Sequence, residues 1–103
     1  MLKLKTSVTE RVVLDDITFE IRALTREEFL TYTKKLSEFT NDETGNIENP
    51  EEMYNLMLEV IEVAIDTKDE TLKRAIMEKI TEAPAVVQNK LFERIMQLST
   101  TGK

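Results

Sequence analysis

Glu59 and Glu62 stand three residues apart, a spacing that puts two carboxylates on one face of a helix. Paired carboxylates can divide general acid and base roles. Here they have no help, because the chain contains no histidine and no cysteine. The common general base, the thiol nucleophile and the imidazole or thiolate metal ligand are therefore all missing. The pair reads as part of a solvated helix face. A second constellation is the segment TNDETGNIENPE, residues 40–51. Set in a calcium-loop frame with Gly45 at the sixth position, Asp42, Ile47 and Glu51 fall at the third, eighth and twelfth, as that frame requires. Thr40 and Thr44 then occupy the first and fifth positions, where carboxylates normally bind, and Pro50 interrupts the loop. The segment reads as an acidic connector. Glycine occurs only at 45 and 102, so no phosphate-cradling loop is present. No catalytic residue, metal site or cofactor is expected, and the chain is read as a non-enzyme.

At 103 residues the chain is expected to make one domain, residues 1–103, able to bury somewhat under ~70% of its unfolded surface. Hydrophobic residues are 41% and charged residues 33%, proportions that support a core and argue against disorder. No apolar run is long enough to span a membrane, and the start MLKLKTSVTE lacks the apolar stretch of a signal peptide. An intracellular setting is expected. The net charge of −6 argues against nucleic-acid binding through phosphates. The charge is also uneven. Between Leu36 and Thr67 there are nine acids and no base, whereas from Ala83 to Lys103 there are three bases and one acid.

The elements follow from periodicity and caps. Ile17, Phe19, Ile21 and Ala23 alternate with Thr18, Glu20 and Arg22, and Arg11–Leu14 is a β-branched run, so a hairpin is expected over about 7–24 with Asp15-Asp16 as its turn. Thr25 and Glu28 form a capping box, and Leu24 with Phe29 has the spacing of a hydrophobic staple. The first helix, about 25–39, then carries Phe29, Tyr32, Leu36 and Phe39 on one face. Asn49 caps a second helix, about 50–66, with Pro50 in its first turn. Thr67 and Glu70 suggest the cap of a third, about 68–82, with a face of Leu72, Ile76 and Ile80. Ala83-Pro84 breaks it and starts a fourth, about 84–98, striped by Val87, Leu91, Ile95 and Leu98, with Ser99–Lys103 as a frayed tail. The fold class is mainly α: an N-terminal β-hairpin followed by a four-helix bundle-like domain.

The second helix is apolar around most of its circumference, which places it at the centre of the domain or under a partner. Its polar stripe is narrow, with Glu52, Glu59, Glu62 and Asp66 as an acidic face. Methionines suit surfaces that repack against varied partners. Met53, Leu56, Met57, Val60, Ile61 and Met77 are the candidate partner-binding residues.

Three features together resemble a known family: the strand running through IRALTREEFLTYTKKL into a capped helix, the all-helical remainder, and the proline-started final helix in APAVVQNKLFERIMQLSTTGK. This order is similar to the small tail assembly chaperones of long-tailed bacteriophages. The resemblance implies a helper in the cytoplasm of the bacterial host, absent from the mature virion. It implies binding to the tape measure protein and assistance to the tail tube protein during tube assembly, with a longer frameshifted form in many members. It transfers no individual functional residue. Two other readings stand beside it: a small acidic inhibitor that mimics nucleic acid against a basic host protein, and a structural connector or adaptor subunit, with a homo-oligomer possible.

Overall fold

The computed structural model describes residues 1–4, 8–39 and 50–102. It contains an antiparallel hairpin of β1 (Thr9–Leu14) and β2 (Ile17–Arg22), followed by α1 (Arg26–Glu38), α2 (Pro50–Ala64), α3 (Glu70–Glu82) and α4 (Ala85–Thr101). The mainly helical class with an N-terminal hairpin is thus the one expected. The calcium-loop frame and the Asn49 cap fall mostly within 40–49, outside the described residues.

Leu14 pairs with Ile17 across the two-residue turn, and the register runs on to Thr9 opposite Arg22. Asp15 takes a φ of 53°, a left-handed conformation that Asp tolerates better than most residues. Asp16, beside it, forms an ion pair with Lys79 of α3. Phe19 and Ile21 of β2 are buried while Thr18 and Glu20 face solvent, so the alternation puts one sheet face on the helices.

The core joins that face to one stripe of each helix: Tyr32 from α1, Leu56, Val60, Ile61 and Ala64 from α2, Ile76 and Ile80 from α3, and Leu91, Ile95 and Leu98 from α4. Helix α2 touches each of the other three helices, and α4 also packs on β2. Of the two settings that α2's apolar circumference allows, the centre of the domain or cover by a partner, Leu56, Val60, Ile61 and Ala64 occupy the first.

Three boundaries and one inner-face residue differ from expectation. Helix α2 stops at Ala64, two residues early, because Ile65 forms an isolated antiparallel bridge with Ile21 and the Asp66 N–H donates to Glu20 O at 2.8 Å. The chain there caps β2 instead of continuing as helix. The cap of α3 is Asp69, whose carboxylate accepts from the N–H groups of Thr71 and Leu72, and not Thr67, whose hydroxyl instead accepts from the Asp69 N–H. Leu72, expected on the inner face of α3, is 41% exposed. Finally, Ser99–Thr101 are helical. The Thr100 and Thr101 hydroxyls donate to the Met96 and Gln97 carbonyls, and Gly102 closes the helix at φ 72° with its N–H bonded to Leu98 O.

One buried polar residue went unforeseen. Gln88 is 2% exposed, and its amide Nε2 donates to Ile80 O at 2.8 Å, capping the end of α3 from α4. Its signal was present in the sequence: Gln88 lies three residues before Leu91 and seven before Ile95, a core position of the α4 stripe.

Candidate functional site

The joint between β2 and α1 orders the first helix and is built from Ile21, Arg22, Leu24, Thr25 and Glu28. Ile21 anchors it in the core at 0% exposure. The Arg22 guanidinium makes a two-pronged contact with Glu28, Nη1 to Oε1 at 2.8 Å and Nη2 to Oε2 at 3.0 Å. Glu28 Oε1 also accepts from the Thr25 N–H, and the Thr25 hydroxyl accepts from the Glu28 N–H, so the expected capping box is present. Leu24 is buried, and its N–H donates to Ser99 Oγ at 2.8 Å. The guanidinium, with help from the cap N–H, holds the Glu28 carboxyl down at about 2. These contacts are structural. They set the angle at which α1 leaves the hairpin, and α1 supplies one wall of a groove.

That groove lies between the end of α1, the N-terminal half of α2 and the middle of α4, and has a volume of about 320 Å³. Leu36, Pro50, Met53, Tyr54, Met57 and Phe92 give it apolar walls, with Asn89 and Glu93 at its margin. Pro50, Met53, Tyr54 and Met57 share one face of α2 because they are spaced three and four apart. Leu36, Met57 and Phe92 rest against the core on their inner sides, whereas Met53 and Tyr54 do not belong to that layer. The groove therefore has a firm floor and an adaptable rim of thioether and aromatic side chains.

The six candidate contact residues separate into three groups. Met53 and Met57 meet in the groove. Leu56, Val60 and Ile61 are 5%, 0% and 0% exposed, and form the core rather than any surface. Met77 lies apart, between α2 and α3, in a small polar cleft with Glu62, Glu70, Lys73 and Arg74. Leu36, Tyr54 and Phe92 help complete the groove and are not among the six candidates, Leu36 being expected only on the apolar face of the first helix. Leu36 and Phe92 come from other helices, so no spacing within α2 reports them.

Glu52, Glu59, Glu62 and Asp66 are all exposed. They are not a uniform bare strip. Glu62 shares its cleft with Lys73 and Arg74. Glu59 lies near Tyr32, whose hydroxyl is pushed up first by burial and then by that carboxylate. Among the described residues, no group of three or more acidic side chains gathers to hold a metal ion. No described helix is long and apolar enough to cross a membrane.

The chain matches no family model, and neither the curated proteins nor the solved structures include one similar to it.

Proposed function

We propose that this protein is a binding protein without catalytic chemistry, a tail assembly chaperone of a long-tailed bacteriophage or prophage. It holds apolar helical segments of the tape measure protein in the host cytoplasm and hands them to the growing tail tube, leaving before the virion is complete. The observation that carries this reading is the groove edged by Met53 and Met57. An amphipathic helix docks by laying apolar side chains at i, i+3 and i+4 into such a channel. A volume of about 320 Å³ has room for two or three of them. The flexible thioethers allow successive segments of different sequence to be held in turn. The acidic face of α2, on the side of the helix away from Met53 and Met57, keeps a loaded complex soluble by repulsion between copies.

The test is co-expression with a tape measure segment. With the chaperone present, the segment stays soluble and co-purifies with it. Met53→Glu should abolish rescue while the circular dichroism melt stays close to that of the parent, because Met53 is half-buried and stands outside the layer packed on the core. A tape measure segment that precipitates equally with and without the protein sinks the reading.

A further inference from the structure

The sheet has two strands and therefore two edges. The outer edge of β2 is met by Ile65 and Asp66. Among the described residues no strand lies along β1. The hairpin register fixes which backbone groups this leaves facing outward. Leu14 and Ile17 close the turn, and the Ala23 N–H reaches Val8 O at 2.8 Å, so Thr9, Arg11 and Val13 turn their N–H and C=O groups away from β2. Beneath that edge lies a second apolar groove of about 300 Å³, walled by Val12, Val13 and Leu14 of β1 and by Val87 and Leu91 of α4. Arg94 crosses one side of it, holding Glu10 through both carboxylate oxygens at 2.7 Å. Val13 is 67% exposed.

The same molecule carries a segment of matching character. Leu2 and Leu4 are 84% and 81% exposed. They alternate with Lys3 and Lys5, the period-two pattern of a strand with one apolar face. The segment is also basic, with no acid before Glu10, on a chain of net charge −6.

We propose that the Met1–Leu4 segment of a second copy adds to the outer edge of β1 as a third strand, with Leu2 and Leu4 entering the groove over Val12, Leu14 and Leu91. Edge addition satisfies the outward backbone groups, and the groove supplies the selectivity. The basic segment also offsets the repulsion between two acidic bodies. The segment's own strand is the wrong place for it. Leu2 and Leu4 of the same copy are 84% and 81% exposed and do not line the groove. Two arms exchanged reciprocally make a closed dimer, and its small buried area makes it weak and concentration-dependent.

Sedimentation of the full chain over a wide concentration range tests this. The expected result is a mass that climbs from one copy to two. Leu2→Asp with Leu4→Asp should weaken association roughly 10- to 100-fold while leaving circular dichroism unchanged. The chain has no native cysteine, so single variants can be cross-linked cleanly. A Lys3→Cys copy mixed with a Val13→Cys copy should give a disulfide between differently tagged chains, because residues 3 and 13 then face each other on the side of the sheet away from the groove. A mass of one copy throughout overturns the proposal. So does association untouched by the double Asp variant. A Leu4→Cys, Thr9→Cys double variant that closes its disulfide within one chain at every concentration overturns it in favour of an arm folded back on its own strand.

Discussion

Glu28 is the residue on which most of the joint's contacts converge. It receives Arg22 on both oxygens and the Thr25 N–H on one of them, and its own N–H is held by the Thr25 hydroxyl. Its carboxyl is lowered from 4.5 to about 2. A depressed carboxyl contributes stability that is present above the unfolded value and is lost as pH falls through the folded one. The window is thus from about 4.5 down to about 2. Both side chains retain close to a third of their exposure, so solvent screening reduces the contribution to ~1–2 kcal/mol. Urea unfolding at pH 7 and at pH 2.5 (roughly, within that window) should show this loss in the parent chain. In Glu28→Gln the pH-dependent part should shrink by about the same amount. An unchanged pH dependence in the variant would assign the acid sensitivity to other carboxylates. The capping box itself was legible from Thr25 and Glu28 at their fixed offset. The Arg22 clamp was not, because it needs the angle between strand and helix, which no local spacing encodes. Gln88 was passed over for another reason: a glutamine in an apolar stripe looks like an interruption until α3 is seen to end against it.

At the scale of elements, the last turn of α4 ties the N-terminal and C-terminal parts of the chain together. Threonine and serine have low helix propensity, and a run of them reads as a tail. Tertiary contact reverses that preference here. Ser99 Oγ accepts from the buried Leu24 N–H and donates to Ile95 O. Gly102 then supplies the left-handed cap that ends the helix. The same kind of override shortened α2, where pairing of Ile65 with Ile21 outweighed a helical pattern extending to Asp66. Long apolar stripes therefore revealed which elements exist, while their ends were decided by partners distant in sequence. The chain ending at Leu98 should be less stable than the full chain by ~2–3 kcal/mol, since it orphans the Leu24 N–H and removes a helical turn. Ser99→Ala in the full chain should reproduce ~1–2 kcal/mol of this. Denaturant midpoints measure both. Equal midpoints for all three chains would show that the last turn frays and holds nothing.

Over the whole molecule, apolar and charged surfaces are segregated in a way that sets the physics of binding. The body is a slab of 43 × 41 × 21 Å, thin enough that α2 can serve the core on one side and present Met53 and Met57 on another. The acids of α2 point to solvent from the opposite side of that helix, and part of their field is already taken up by Lys73 and Arg74 near Glu62. A protein that imitates nucleic acid works through its whole carboxylate array, so its affinity falls steeply with salt. A groove that buries apolar side chains gives a negative heat-capacity change and a weak salt response. Calorimetric titration with a tape measure helix should therefore show a negative heat-capacity change. Its affinity should vary by no more than ~3-fold between about 50 and 300 mM salt. Exchanging Glu52, Glu59, Glu62 and Asp66 for their amides should leave affinity within the same ~3-fold and lower solubility instead, because the four charges act on the complex at a distance and not on the contact. The opposite pattern is also well defined. A tenfold or greater loss across that salt range, together with loss of binding in the amide variant and none in the Met53→Glu variant, would move the working surface from the groove to the acidic face and favour an inhibitor of a basic host protein.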